Sequence, residues 1–173
     1  MKRKIIFALV SVFFILTALM VFRFVKTVQA KESITAMLQS LPVFAVTDTN
    51  GISFSEKEFP KEHWVVFVFF HSDCHYCQSE AEQLKEMESE LANITFIWIS
   101  SEELGAIKAF QETYKLEQIP FVVDVNSQLS NAWSISATPQ FLVYTPQQKL
   151  FKNHKGAWRI ENLISQIHEI KIP

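Results

Sequence analysis

The fold of this chain is decided by one stretch, WVVFVFFHSDCHYCQSE, which covers residues 64–80. It begins with seven consecutive apolar residues, Trp64 to Phe70, and such an uninterrupted run is typical of a central strand buried on both faces. Two cysteines, Cys74 and Cys77, follow at once, and from Glu80 onwards the spacing of apolar residues is helical. The stretch therefore predicts a buried strand that leads through a C-x-x-C turn into a helix.

The cysteine pair is predicted to have a chemical role. Cys74 and Cys77 are the only two cysteines of the chain, and the loop between them is too short for a disulfide to stabilise the fold. Only a thiolate attacks a disulfide, and a helix N-terminus stabilises negative charge. We expect Cys74 to be the exposed nucleophile and Cys77, one turn into the helix, to resolve the mixed disulfide. A protonated His75 favours the thiolate and Asp73 opposes it, and the residues alone leave the balance open.

Metal binding is the alternative use of this motif. A C-x-x-C is half of a zinc site, and His71 and His75 lie close to it in sequence. The alternative function is therefore a copper or zinc carrier that uses both cysteines and one of these histidines. Four ligands at this spacing crowd one turn, and the sequence has no second cluster. Haem attachment needs a histidine directly after the second cysteine, where this chain has Gln78.

Apolar runs elsewhere predict alternating strands and helices. Strands are predicted at Val43–Val46, Ile52–Phe54, Ile94–Ile99, Phe121–Val125, Phe141–Tyr144 and Lys149–Asn153, and helices at Glu80–Leu91, Ser101–Tyr114, Leu129–Trp133 and Ile160–Ile170. Asn50-Gly51 is a strong tight-turn signal between the first two strands. This alternation implies an α/β layer structure with a partly parallel sheet. The short turn between the last two strands makes that pair antiparallel.

The N-terminal segment is predicted to be a membrane anchor. Three basic residues after Met1 precede an apolar run from Ile5 to Phe22, about long enough to cross a bilayer and longer than the roughly 7–15 apolar residues of a signal peptide. We predict an anchor and linker over residues 1–30 and a second domain over residues 31–173. A cleaved signal peptide stays open as the alternative, because Val28-Gln29-Ala30 resembles a cleavage site. Basic residues lie on both sides of the run, so the positive-inside signal is weak.

Composition excludes few functions but gives no reason to expect nucleic acid as a partner. Lys and Arg total 16 against 18 Asp and Glu, for a formal net charge of −2, whereas phosphate recognition needs a basic surface. The 173-residue chain is 49 % apolar and has no polar low-complexity tract. The part after residue 30 is long enough to bury a sizeable core.

A second motif makes the pattern specific. The segment ATPQFLV covers residues 137–143, some sixty residues after the C-x-x-C. With this segment, the strand–C-x-x-C–helix unit, Gly156 and the Asn50-Gly51 turn, the sequence resembles the thioredoxin superfamily. More narrowly, it resembles the membrane-anchored TlpA/ResA-type bacterial thiol–disulfide oxidoreductases over Leu41 to Ile170. The resemblance implies a thioredoxin-like α/β fold, in which a central mixed sheet is flanked by helices.

The resemblance also implies a set of site residues. Pro139 matches the cis-proline that packs beside the cysteines, and with Thr138 it guides an extended partner segment. His75 and Tyr76, between the cysteines, are expected to contact the substrate. Glu80 occupies the acidic position of the family's C-x-x-C-x-x-E pattern, where it can move the proton of the second cysteine. The alternative for Glu80 is a solvated carboxylate that favours a helix first turn.

Several positions depart from related patterns. Val68 stands where thioredoxins carry a buried acid, and Asp73 replaces the usual tryptophan. The dipeptide between the cysteines has no proline, so the sequence leaves the reduction potential of the pair open. The peroxiredoxin T-x-x-C signature is missing, because His71 stands at its threonine position. Copper-handling relatives usually have a C-x-x-x-C spacing, which is one residue longer than the spacing in this chain.

The expected function is that of an enzyme, a protein thiol–disulfide oxidoreductase. Its expected partners are protein thiols or disulfides and a redox donor or acceptor protein, and it needs no organic cofactor. The expected location is the bacterial inner (cytoplasmic) membrane, with a single pass through Ile5–Phe22 and the soluble domain facing the periplasm or the cell exterior. The reductive direction is favoured because it is common in the family that the sequence resembles.

Overall fold

The chain divides into two units, Met1–Met37 and Leu38–Pro173. The computed structural model describes residues 2–60 and 62–170, with the side chains of residues 13–29, 32–53, 55–60 and 62–170. The domain boundary predicted after residue 30 stays a prediction.

The first unit is formed by one long helix, α1, which runs over Lys2–Leu38. Its stretch Phe13–Leu38 is long and apolar enough to cross a membrane, a criterion that a signal sequence also meets. The hydroxyl of Thr17 donates to the carbonyl oxygens of Phe13 and Phe14 within the helix. This polar group is therefore satisfied without water, as a lipid environment requires. The predicted span Ile5–Phe22 overlaps this stretch, but the side chains of residues 5–12 lie outside the described ones.

The second unit is built on a five-stranded mixed sheet and a small hairpin. The strands are β1 Ala45–Thr47, β2 Ser53–Ser55, β3 Trp64–Phe69, β4 Ile94–Ser100, β5 Phe121–Val123, β6 Gln140–Tyr144 and β7 Leu150–Lys155. The hairpin pairs β1 with β2, and the sheet has the strand order β5-β4-β3-β6-β7. The pairs β3–β4 and β4–β5 are parallel, and the pairs β3–β6 and β6–β7 are antiparallel. The predicted mixed sheet is therefore confirmed, including its antiparallel last pair.

Within the described residues of this unit, four α-helices connect these strands or follow them. They are α2 His75–Glu86, α3 Leu104–Thr113, α4 Gln128–Ala132 and α5 Ile160–Glu169. Helix α2 begins five residues before the predicted start at Glu80, because the side chain of Cys74 caps it. Strand β5 ends at Val123, two residues earlier than predicted. The next residue, Asp124, is buried and accepts the backbone N–H groups of Leu129 and Ser130 at 2.8 and 2.9 Å, which starts α4 there.

The core lies on both faces of the sheet, as the all-apolar β3 requires. One face packs Val66 and Val68 against buried side chains of α2, α3 and α5. On the other face Phe67 contacts the rings of Phe44 and Trp133, with centroids 5.4 and 5.1 Å apart. Burial of a large apolar side chain stabilises the fold by about 1.5–3 kcal/mol, so β3 is held firmly in register.

The sheet brings three loops to one edge. The parallel strands β3 and β4 both end there, so the cysteine turn lies beside the loop that follows Ser100. Because β6 is antiparallel to β3 and Gln140 pairs with Phe69, the residues just before β6 lie at the same edge. This edge is where the candidate site is found.

Candidate functional site

Cys74 and Cys77 occupy the N-terminus of α2 in different environments. Cys74 is the N-cap residue, and its sulfur accepts the backbone N–H of Cys77 at 3.4 Å. Cys74 is half-buried, whereas Cys77 is fully buried, and both are free thiols. The donated N–H and the helix N-terminus both favour negative charge on the Cys74 sulfur.

The environment of Cys77 keeps this thiol protonated. Burial raises the pKa of Cys77, and the hydrogen bond with the Cys74 side chain raises it further. A hydrogen bond from the backbone of His71 to the Cys77 sulfur acts in the opposite direction but is outweighed. The resolving thiol therefore needs a base, or a change in its surroundings, before it can attack.

The Thr138–Pro139 segment lies directly against the nucleophile. The Thr138–Pro139 peptide bond is cis, and the Cys74 thiol donates to the carbonyl oxygen of Thr138 at 3.5 Å. Thr138 is exposed and Pro139 is buried. The sequence pattern placed both residues in the site, and the structure brings Thr138 within hydrogen-bonding reach of Cys74.

Gln140 holds the loop before Pro139 and was not identified from the sequence. Its side chain is fully buried. Its Oε1 accepts the backbone N–H of Ser136 at 3.0 Å, and its Nε2 donates to Oδ1 of Asn153 at 2.9 Å. A polar residue at the start of an otherwise apolar strand was the only available signal, because buried polar side chains are rare unless hydrogen-bonded.

His75 and Tyr76 present side chains to solvent beside Cys74. Both lie in the first turn of α2, with ring centroids 6.1 Å apart. Tyr76 is 60 % exposed, which is unusual for a large aromatic side chain next to a reactive group and leaves it free to pack against a partner.

Glu80 is buried rather than solvated, so the alternative reading of this carboxylate is wrong. Its side chain is only 2 % exposed. Its two oxygens accept the backbone N–H groups of Trp158 and Ile160 at 2.8 and 3.1 Å, which ties α2 to the start of α5. Burial raises the pKa of Glu80, although these two hydrogen bonds and the charges of Arg159 and His154 oppose the shift.

Glu102 forms a second carboxylate site that was not identified from the sequence. It lies in the loop after β4, and its Oε2 accepts the backbone N–H of Ser72 at 2.7 Å and the hydroxyl of Ser100 at 3.0 Å. Its Oε1 accepts the hydroxyl of Ser72 at 2.5 Å and lies 3.5 Å from Nδ1 of His71. Burial by itself raises the pKa of Glu102, but the hydrogen bonds from Ser72 and Ser100 outweigh it and the pKa is lowered.

The histidines near the cysteines do not complete a metal site in the described part of the chain. Among residues 2–60 and 62–170, no group of three or more His, Cys, Asp or Glu side chains is placed to hold a metal ion. His71 lies instead beside Glu102. The metal-carrier alternative stays a prediction.

Several solved structures resemble this chain, and one of the three described here is a disulfide oxidoreductase by name. MTB DsbF, solved in mixed oxidised and reduced forms, has a TM-score of 0.66 and 17 % identity, and the match covers 77 % of this chain and 96 % of that chain. A secreted disulfide oxidoreductase of Mycobacterium tuberculosis, homologous to E. coli DsbE, has a TM-score of 0.64 and 20 % identity, with 78 % and 98 % covered. StoA from Bacillus subtilis has a TM-score of 0.61 and 19 % identity, with 75 % and 98 % covered.

These identities show a shared fold, and the predicted thioredoxin-like architecture is confirmed. A comparison with curated protein sequences finds no match. The family model described as AhpC/TSA matches residues 37–153, which is more than half of the chain and contains both cysteines and the Thr138–Pro139 segment. The chain therefore belongs to the AhpC/TSA family.

Proposed function

We propose that this protein is an enzyme, a thiol–disulfide oxidoreductase that exchanges disulfides with other proteins through Cys74 and Cys77. One observation carries the proposal. The half-buried Cys74 receives an N–H at a helix N-terminus and lies against the backbone of Thr138, while Cys77 is buried behind it. The family and the names of the similar solved structures support the same chemistry.

The proposed reaction reduces a partner disulfide in two exchanges. The Cys74 thiolate attacks one sulfur of the partner, the partner's sulfur–sulfur bond breaks, and the second partner sulfur leaves as a thiolate. Cys77 then loses its proton and attacks the Cys74 sulfur, which releases the first partner sulfur and forms the Cys74–Cys77 disulfide. Two electrons pass to the partner, and a redox donor protein reverses the change in the enzyme.

Glu80 is the proposed proton acceptor for Cys77. It lies one helical turn further along α2, and burial raises its pKa above the ordinary glutamate value, which makes its carboxylate a better proton acceptor. Its carboxylate accepts the backbone N–H groups of Trp158 and Ile160, which fix the position of the carboxylate.

The substrate-binding surface is proposed to consist of Thr138, Pro139, His75 and Tyr76. An extended partner segment can pair with the exposed backbone of Thr138, in the manner of strand addition. Pro139 has no N–H, so it leaves this edge without a competing donor. Tyr76 would cover the apolar side chains of the bound segment.

The proposed location is the outer side of a bacterial cytoplasmic membrane, where α1 acts as a retained single-pass anchor. Disulfide-containing partners are found mainly in such oxidising compartments, and the apolar stretch of α1 supports anchoring. The reductive direction is proposed because a reductant is needed to counter unwanted oxidation there.

Replacing Cys77 tests the proposal directly. In the full-length chain, Cys77→Ser leaves a mixed disulfide between Cys74 and the partner unresolved. Non-reducing gels should then show thiol-sensitive adducts that are absent from the Cys74→Ser variant. An absence of adducts from both variants would contradict the proposed function.

A further inference from the structure

The loop before Cys74 is fastened by a side chain from a different strand–helix connection. All three polar groups of Ser72 are engaged. Its N–H and its hydroxyl donate to Glu102, at 2.7 and 2.5 Å, and its carbonyl oxygen accepts Nε2 of Gln78 at 2.9 Å. We call Glu102 and Ser72 the loop clamp.

The loop clamp holds a peptide that contacts the nucleophile. The carbonyl oxygen of His71 accepts the backbone N–H of Cys74 at 3.0 Å. The backbone of His71 also acts to lower the pKa of Cys77. Residue 71 therefore contacts Cys74 directly, and its neighbour Ser72 is the residue that Glu102 holds.

The Glu102 carboxylate is largely buried, at a free-energy cost that an exposed surface carboxylate does not have. The Glu102 side chain is only 13 % exposed, and desolvating a carboxylate is costly unless hydrogen bonds compensate. Three hydrogen bonds do so here, from Ser72 and Ser100. The adjacent Glu103 is exposed and makes no side-chain hydrogen bond at the start of α3.

We propose that Glu102 is a positioning residue for the redox pair, acting through Ser72 and His71 to keep the Cys74 sulfur at the N-terminus of α2. This inference rests on the proposed function, because it assigns a part in the same exchange. When the clamp is broken, the loop relaxes and the sulfur loses its alignment with the Cys77 N–H. The thiolate of Cys74 is then less stabilised.

A purely electrostatic role for Glu102 predicts the opposite change in the reactivity of Cys74. A negative charge on Glu102 that acted on the cysteines through space would oppose the thiolate, so removing that charge alone would favour the thiolate. Glu102→Asp separates the two effects, because aspartate keeps the charge but is too short by one methylene to reach Ser72. The other titratable side chains next to Cys74, namely His71, Asp73 and His75, stay unchanged in this variant.

The test is the rate at which iodoacetamide alkylates Cys74 in the reduced full-length protein, followed by mass spectrometry at pH 6 and pH 9. For Glu102→Asp we expect a rate about 3- to 10-fold lower at pH 6 and within about twofold of wild type at pH 9. The matched control Glu103→Asp makes the same change one residue away and should stay within about twofold at both values. Ser72→Ala removes the hydroxyl half of the clamp and should give an intermediate decrease at pH 6.

A folded Glu102→Asp variant that reacts as fast as wild type, or faster, at pH 6 would overturn the proposal. If circular dichroism shows that this variant is unfolded, Ser72→Ala decides by the same criterion. Reduction of insulin disulfides by the wild type separates the two proposals. If the wild type does not reduce insulin, the result counts against the proposed function. If the wild type reduces insulin but the variants alkylate at the wild-type rate at pH 6, the result counts against the loop clamp alone.

Discussion

The Cys74 thiol donates a hydrogen bond to the carbonyl oxygen of Thr138 across 3.5 Å, although the two residues are 64 positions apart in the sequence. The antiparallel pairing of β6 with β3 produces this contact, because Gln140 is opposite Phe69. The residue before Pro139 therefore meets the residue that caps α2. A partner segment that pairs with the backbone of Thr138 would carry its disulfide to Cys74.

The different burial of the two cysteines predicts different trapping behaviour. Cys77→Ser should accumulate covalent partner adducts through Cys74, at least tenfold more than wild type, because the resolving step is lost. Non-reducing gels of the full-length protein, with and without dithiothreitol, measure this accumulation. Cys74→Ser is the control, since the buried Cys77 is too enclosed to attack a partner. Equal trapping by the two variants would contradict the division of roles.

Tyr76 is predicted to contribute to partner binding and to leave the thiol chemistry unchanged. Its side chain is 60 % exposed beside the nucleophile. Tyr76→Ala should raise the KM for a protein disulfide about 5- to 30-fold, as the loss of an aromatic contact residue commonly does. The alkylation rate of Cys74 by iodoacetamide should stay within about twofold, which serves as the internal control. A decreased alkylation rate with an unchanged KM would show that Tyr76 acts on the thiol instead.

Because of Glu80, the free energy of unfolding is predicted to decrease as the pH rises. Burial raises its pKa above the ordinary value of 4.5, so the folded state binds this proton more tightly than the unfolded state. Stability from this group is therefore present below pH 4.5 and is lost as the pH rises through the raised pKa. Relative to Glu80→Gln, which does not titrate, the wild type should lose up to about 1.4 kcal/mol per pH unit within that window.

Urea unfolding of the full-length protein between pH 4 and pH 8 measures this difference. Glu82→Gln provides the matched control, because Glu82 lies on the same helix and is exposed; its difference from wild type should show little pH dependence. A stability difference between wild type and Glu80→Gln that is constant with pH, or that grows in favour of wild type as the pH rises, would be incompatible with the raised pKa.

The anchor is predicted to remain on the mature protein. Its apolar stretch is long enough to cross a membrane, so the intact mass of the protein from membranes should include the N-terminal residues. Extraction should need detergent, and carbonate washing should leave the protein in the membrane fraction. A mature chain that begins at Lys31 and is recovered in the soluble fraction would show that the segment is a cleaved signal peptide.

The sequence predicted those features that depend on local patterns. The run Trp64–Phe70 predicted β3, since an apolar run without interruption needs burial on both faces. The spacing of Cys74 and Cys77 placed them at a helix start, although the periodicity showed the helix only from Glu80. The capping of α2 by a cysteine side chain extends the helix over residues that carry little apolar signal.

Tertiary contacts account for the features that were missed. Glu102 meets Ser72 across 30 positions, and nothing in the SSEE run around it distinguishes it from the exposed Glu103. The apolar pattern placed Asp124 inside a predicted strand. Only the hydrogen bonds that it accepts from Leu129 and Ser130 show that it begins the next helix instead. The role of Glu80 in the cysteine chemistry stays a prediction. Its burial could not be predicted, because it follows from the hydrogen bonds that Glu80 accepts from Trp158 and Ile160, about 80 positions later in the sequence.

The reduction potential of the Cys74–Cys77 pair tests the central claim most directly. The full-length protein in detergent would be equilibrated with defined mixtures of reduced and oxidised dithiothreitol for low potentials and of reduced and oxidised glutathione for higher ones. The two thiols would be counted by alkylation and mass spectrometry. We predict a reversible two-electron transition near or below about −250 mV, in the range of thioredoxin-like reductants. A transition at about −120 to −180 mV would contradict the reductive direction, and the absence of any reversible transition would contradict the oxidoreductase function itself.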